Sequence, residues 1–256
     1  MALSTPHGGK LVDRILRGEE REAALRRARA AKKIPLSEVG ISDFEMIANG
    51  AMSPLNGFMT KTDYDSVVQN MRLANGLVWS LPITLSVSKE TAAEIRLSEE
   101  IALVENGNGG GILGVMQIAE KFEYDKTREA QEVYRTTETA HPGVARVMSQ
   151  GEVCLAGEVW MINRPANVMF AAYRRDPAET RRLFAERGWN AVVGFQTRNR
   201  CIAPTSIFKN ARWKSSMGCC CIRLLAKPKK TISRRICGWK AITRCCKIII
   251  RPIACC

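Results

Sequence analysis

One stretch decides the fold: residues 176–199 read DPAETRRLFAERGWNAVVGFQTRN. Asp176, Pro177 and Glu179 predict a helix start, because Asp can cap, Pro fits the first turn and Glu can close a capping box. The helix is expected to run through TRRLFAER and to end at Gly188, since glycine is the usual residue just after a helix.

An apolar strand and a polar loop follow that helix. Trp189–Phe195 (WNAVVGF) has the pattern of a buried strand, and Gln196–Asn199 comes directly after it. This order is typical of the start of an α/β nucleotide-binding fold of the Rossmann type. Ligands of such folds bind at the carboxyl ends of the strands.

The loop carries the chemistry of an oxyanion site. Arg198 offers a planar fork that matches a tetrahedral oxyanion. Gln196 and Asn199 add amide donors, and Thr197 adds a hydroxyl. From these four residues alone, a polar turn that caps the next helix is an equally good interpretation.

The preceding region, residues 34–165, is expected to be mainly β with short helices. The strand candidates are Leu77–Val87 (with Pro82 indicating an edge or bulge), Ile101–Glu105, Ile112–Ile118 and Val153–Ile162. The Gly-rich NGNGGG between the second and third candidates predicts a hairpin turn, because it lacks the Lys-Ser/Thr of a phosphate-binding loop. Short strands separated by turns predict a small barrel-like domain.

The composition changes abruptly at Arg200. The chain has 256 residues with 39 Lys+Arg and 25 Asp+Glu, and residues 200–256 hold 14 of the basic residues and no acidic one. Residues 1–199 are therefore neutral, with 39 − 14 = 25 basic against 25 acidic residues. Nine of the 10 Cys also lie in this tail.

Membrane and secretory classes are not expected. A hydrophobic fraction of 46% is too high for a disordered chain. No apolar run reaches the roughly 18 residues of a membrane span, and the first residues lack the apolar core of a signal peptide. We expect a cytoplasmic protein.

Several segments together resemble the ATP sulfurylase (sulfate adenylyltransferase) family. They are GGKLVDR (8–14), FEMIANGAMSPLNGFM (44–59), DYDSVVQNMRLANGLVWSLPITL (63–85), YDKTREAQEVYRTTETAHPGV (124–144) and the stretch 176–199. The resemblance implies a PUA-like β-barrel domain over 1–168. It also implies that 169–199 begin the α/β nucleotidyltransferase domain.

The resemblance also implies an activity. The family joins sulfate to the AMP part of MgATP, giving adenylyl sulfate and pyrophosphate, in sulfate assimilation. ATP and sulfate would be the partners, magnesium would arrive with ATP, no protein-bound metal is expected, and the intact family can form homo-oligomers. By this resemblance Gln196 and Arg198 would bind sulfate, while Thr197 and Asn199 would orient the α-phosphoryl group. Catalysis would be positioning plus electrostatic stabilisation of an in-line displacement.

The resemblance ends at Arg200. The family continues with Pro-x-His-x-x-His and a later Gly-Arg-Asp, but here no His follows His141 and the tail has no Asp. His141 itself lies in the N-terminal region, where a structural use is expected. Without those motifs the chain is expected to have little or no sulfurylase activity.

An out-of-frame tail explains its charge, its cysteines and the missing motifs together. Residues 199–206 (NRCIAPTS) can be encoded as AAC CGT TGC ATC GCG CCC ACG AGT. One C inserted after AAC gives Asn-Pro-Leu-His-Arg-Ala-His-Glu, with both histidines at the family's spacing. The same shift turns residues 227–232 (KPKKTI) into Glu-Thr-Lys-Lys-Asp-Asp. We therefore expect residues 200–256 to have no unique fold.

Other functions were weighed for the tail and for the basic helix Arg21–Lys33. A zinc site is disfavoured because no CxxC pair occurs, and a disulfide scaffold conflicts with the cytoplasm. The helix could bind phosphates or be a solvated face. The alternative function is an RNA-binding PUA-like module with a basic tail, which the neutral charge of residues 1–199 argues against.

Overall fold

The computed structural model describes residues 4–106, 110–166, 174–189, 191–197 and 217–223. The helices are α1 (Gly18–Ala30), α2 (Glu38–Ala48), α3 (Lys61–Asn70), α4 (Lys89–Ala93), α5 (Lys126–Glu129), α6 (Pro142–Ser149) and α7 (Pro177–Glu186), with a π-helix at Ala130–Tyr134. The strands are β1 (Lys33–Leu36), β2 (Gly57–Phe58), β3 (Leu85–Val87), β4 (Glu100–Glu105), β5 (Ile112–Glu123), β6 (Val153–Met161), β7 (Ala191–Thr197) and β8 (Met217–Arg223).

The chain divides into two compact units. Pro6–Met169 forms the first, and the second contains α7, β7 and β8. The first unit is built on a six-stranded sheet in which β1, β4, β5 and β6 are neighbours in that order. β1 runs parallel to β4, the pairs β4–β5 and β5–β6 are antiparallel, and β2 and β3 both pair with β6.

Both faces of this sheet are covered, because successive residues of a strand point to opposite sides. On one face Leu103 is fully buried with Phe44 and Ile47 of α2 in the main core. On the other face Ala102 packs with Ala24 and Ala28 of α1. The small alanines allow α1 to lie close to the sheet.

Most of the strand predictions hold, with one clear exception. β4, β5 and β6 form where the apolar runs predicted them, and β4 pairs with β5 as a hairpin around the Gly-rich stretch, whose residues 107–109 lie outside the described residues. In the candidate Leu77–Val87 only the last three residues form a strand. The start of the candidate instead lies antiparallel to residues 71–73, where the Trp79 N–H donates to the Met71 carbonyl at 2.9 Å.

The charged helix begins earlier than predicted, at Gly18, and ends at Ala30 because Lys33 already belongs to β1. Two of its arginines donate to protein groups. Arg21 Nε bonds the Ile162 carbonyl at 2.9 Å, and Arg27 bonds both carboxylate oxygens of Glu100 at 2.9 and 3.1 Å. These contacts hold α1 on the sheet.

The expectation of a tail without a unique fold does not hold for Met217–Arg223. These residues form β8, which pairs in parallel with β7. No helix among the described residues has the length and apolar character to span a bilayer.

Candidate functional site at the carboxyl end of β7

Helix α7 begins where the sequence predicted, but not through the predicted cap. Asp176 has the extended backbone of an N-cap residue, and Pro177 occupies the first turn. The Asp176 side chain makes no capping bond. Glu179 instead accepts a hydrogen bond from Arg175 at 2.6 Å. The predicted cap by the Asp176 side chain therefore does not form, and Glu179 makes an i,i+4 ion pair with Arg175.

The end of α7 sets the direction of the following strand. Gly188 has φ +67°, and its N–H donates to the Ala185 carbonyl at 2.9 Å. The Trp189 N–H donates to the Phe184 carbonyl, also at 2.9 Å. These two bonds form a Schellman motif. The rings of Phe184 and Trp189, 5.9 Å apart, add the apolar contact that accompanies this motif.

The strand then delivers two predicted site residues to a sheet edge. β7 starts at Ala191, two residues later than predicted, because Trp189 still closes the helix. It ends at Thr197, so Gln196 and Thr197 are its last residues. Arg198 and Asn199 come next along the chain and lie outside the described residues.

The partner strand β8 ends at the same edge. In the parallel register of β7 and β8, Gln196 is opposite Ile222 and Thr197 is opposite Arg223. Sequence analysis missed Arg223, because one arginine among the tail's 14 basic residues gives no separate signal. The parallel pairing places both strand ends, and therefore Thr197 and Arg223, side by side.

The predicted structural role of His141 agrees with the geometry. His141 precedes α6, and its Nδ1 accepts a hydrogen bond from the Gly143 N–H at 3.2 Å. Its ring lies 5.3 Å from the ring of Tyr134. The histidine thus caps a helix in the first unit.

Sequence analysis also missed a buried polar cluster in the first unit. Glu129 is only 5% exposed, and its carboxylate accepts a hydrogen bond from the Tyr64 hydroxyl at 2.8 Å. Burial raises the pKa of Glu129. Burial and the nearby Glu129 charge raise the pKa of the Cys154 thiol to about 12. A neutral thiol and a partly desolvated carboxyl are the signs of a structural cluster rather than of a nucleophile.

Within the parts of the chain that the structure describes, no three His, Cys, Asp or Glu side chains come together as metal ligands. Cys154 is a free, buried thiol.

Comparison with known proteins identifies the first unit. The sequence profile of the PUA-like domain matches residues 4–164. The chain belongs to the PUA-like domain family. A second profile, described as ATP-sulfurylase, matches residues 171–230. This match covers α7, β7 and β8 and reaches past Asn199, where the resemblance was expected to stop.

Relatives at high identity bear the name sulfate adenylyltransferase. One from Symbiobacterium thermophilum is 57% identical over 194 residues, which are 76% of this chain and 49% of the relative. One from a Synechococcus strain is 52% identical over the same shares. The chain thus spans about half the length of these relatives. The matches confirm the resemblance to ATP sulfurylase, a family of transferase enzymes.

The chain is also similar to a solved structure with a different name. The chain superposes on a hexameric APS kinase from Thiobacillus denitrificans with a TM-score of 0.60 and 30% sequence identity. The match covers 77% of this chain and 34% of that one.

Proposed function

We propose that the chain carries the PUA-like domain (1–168) and the start of the catalytic domain (169–199) of a cytoplasmic sulfate adenylyltransferase. The observation that carries this proposal is the placement of Gln196 and Thr197 as the last two residues of β7, the strand that follows helix α7. Ligands of open α/β sheets bind at the carboxyl ends of the strands. The sulfate adenylyltransferase relatives, at up to 57% identity, support the assignment.

The reaction would be an in-line transfer. A sulfate oxygen forms a bond to the α-phosphorus of MgATP, the bond from that phosphorus to the bridging oxygen of pyrophosphate breaks, and pyrophosphate leaves. Gln196 and Arg198 would hold sulfate through neutral and charged donors. Thr197 and Asn199 would orient the α-phosphoryl group and stabilise its developing charge.

This activity requires the reading frame to change after Asn199. The genetic code supports a shifted frame independently of codon choice. If one base is added upstream, each Cys codon supplies TG as the second and third bases of a new codon. All nine tail cysteines then read Leu, Met or Val, and every Cys that follows another Cys reads Leu. A Cys-rich tail is thus what a leucine-rich segment gives when it is read out of frame.

The experiment compares three genes. The first encodes the chain as written, the second has one base inserted after the Asn199 codon, and the third has three bases inserted there. Adenylyl sulfate formed from MgATP and sulfate is measured for each purified product. We expect activity from the one-base insertion alone, and loss of that activity when Arg198→Gln is added.

The three-base insertion controls for a change of length at this position. Turnover by the chain as written would overturn the proposed inactivity. A folded one-base product that extends to the full length of the relatives and is still inactive would overturn the assignment of the site. The nucleic-acid alternative gains no support from the relatives, which are named for sulfate adenylyl transfer.

A further inference from the structure

The first unit contains a polar cleft that the proposed reaction does not use. The cleft has a volume of about 480 Å³ and lies between the start of α2, the segment that leads into β3 and the end of α6. Its lining includes the carboxylate of Asp43 on α2 and the guanidinium of Arg146 on α6, with Glu38 as a second, exposed carboxylate. All of these residues precede Asn199, so the cleft is the same in either reading frame.

Asp43 and Arg146 line the cleft without bonding to each other. Within the described part of the chain, neither side chain makes a hydrogen bond or a direct ion pair. Burial raises the pKa of Asp43, and the charge of Arg146 is close enough to oppose that rise. A second carboxyl near Arg146, that of Glu129, already accepts a hydrogen bond from Tyr64. One carboxylate and one guanidinium are therefore open to a molecule in the cleft.

The cleft also has an apolar part. Val39 is 40% exposed, and it lines the cleft together with the buried side chains of Pro82 and Leu85. An aliphatic group bound there would remove Val39 from contact with water, which is favourable. None of the described residues that line the cleft is aromatic, so the lining offers no ring on which a nucleobase could stack.

We propose that this cleft binds a free α-amino acid with an aliphatic side chain. The Arg146 guanidinium would donate two parallel hydrogen bonds to the amino acid's carboxylate, and the ammonium group would donate to the Asp43 carboxylate. The aliphatic side chain would contact Val39. A zwitterion satisfies both protein charges at once and brings no net charge into the cleft.

The test measures binding of L-leucine to the full chain, under reducing conditions, by isothermal titration calorimetry. Leucinamide lacks the carboxylate, and N-acetyl-leucine lacks the ammonium charge. Each is expected to bind about tenfold more weakly than leucine, because each loses a charge-assisted contact. Glycine keeps both charges but cannot contact Val39, so it should also bind more weakly than leucine.

Two variants locate the site in this cleft. Arg146→Gln and Asp43→Asn should each weaken leucine binding about tenfold. Leucinamide should bind Arg146→Gln as it binds wild type, because it has no carboxylate for Arg146 to hold. Arg26→Gln is the control, since it removes a positive charge from the exposed face of α1 and should leave leucine binding unchanged.

Three results would overturn the proposal. In the first, wild type does not bind leucine at millimolar concentrations. In the second, it binds leucine, leucinamide and N-acetyl-leucine equally, so the two charges are not recognised. In the third, leucine binding survives both Arg146→Gln and Asp43→Asn, which would place the amino acid elsewhere.

Folding of the variants is checked by amide hydrogen exchange across α2 and α6. If a variant loses protection there, the comparison of leucine with its two analogues on wild type still decides the outcome. The inference does not rest on the proposed function. Failure to bind leucine would leave the sulfate adenylyltransferase proposal untouched, and an inactive frame-restored product would leave the cleft untouched.

Discussion

Glu129 is the residue whose environment has the clearest consequence for stability. Its carboxyl is buried, and desolvation raises its pKa above that of an ordinary glutamate despite the hydrogen bond from Tyr64. A raised pKa means that folding favours the protonated form. Its contribution to stability is therefore complete below the unfolded pKa and is lost as pH rises through the folded pKa.

Replacing Glu129 by Gln removes this titration. We expect the free energy of unfolding of wild type to fall relative to that of Glu129→Gln as pH rises from about 4 to 7, by about 1.4 kcal/mol for each unit by which folding raises the pKa. Urea unfolding of the full chain, followed by hydrogen exchange in β5 and β6, measures the difference at each pH.

Glu123→Gln is the matched control, because the Glu123 side chain is 68% exposed and pairs with Lys89 at the surface. Its free energy of unfolding should stay parallel to that of wild type across the same range. A Glu129→Gln curve that also runs parallel to wild type would contradict the argument from burial.

Among the elements, the pairing of β2 with β6 leaves the least space for an added side-chain atom. A Cβ added at Gly57 would lie 1.8 Å from the Gly157 carbonyl oxygen, which is backbone and has no easy way to move. We expect Gly57→Ala to destabilise the first unit by about 3 kcal/mol, or to prevent its folding. Thermal unfolding by circular dichroism measures this effect.

Gly111→Ala provides the comparison, because a Cβ there meets nothing within 4 Å and its backbone is not in the positive-φ region. It should unfold near the wild-type temperature. Equal unfolding temperatures for the two variants would show that β2 can shift away from β6 without loss.

The helices and strands differ in how well they could be predicted from the sequence. β4, β5 and β6 are readable from their apolar runs, whereas α2 and α3 were missed. Their starts carried a local signal, since Ser37 and Thr60 cap them by accepting hydrogen bonds from the Gly40 and Asp63 N–H groups. Leu77–Val87 misled because two of its apolar residues, Val78 and Leu81, are exposed, and only Leu85–Val87 form a strand.

The candidate site was predictable only in part. An apolar strand followed by Gln196 and Thr197 could be recognised from local sequence alone. Arg223 could not, because its position depends on a long-range pairing of β7 with β8. Local sequence patterns predict individual helices and strands, whereas the register between two distant strands is seen only in the folded structure.

At the scale of the whole molecule, charge is divided sharply along the chain. Residues 1–199 are neutral and residues 200–256 carry the entire net charge of +14. The full chain is expected to bind a polyanion such as heparin without specificity, with an affinity that falls steeply as salt rises. A chain ending at Asn199 should bind weakly or not at all.

Affinity measured across a series of NaCl concentrations tests this expectation. A steep negative slope of log affinity against log salt for the full chain alone would support it. An equal slope for residues 1–199 would place the polyanion contact in those residues instead of the tail.

The first unit also has a sheet edge, strand β1, that disfavours pairing with strands of other molecules. β1 pairs only with β4 among the described strands, so its other side is open. Its solvent-facing residues are Lys33 and Pro35, which alternate with the buried Ile34 and Leu36. These two residues disfavour the addition of a strand from another molecule. Lys33 would have to lose its hydration, and Pro35 has no N–H to donate to the added strand. Replacing both residues by valine would make β1 an apolar edge strand to which strands of other molecules could add, and this would promote the growth of fibrils.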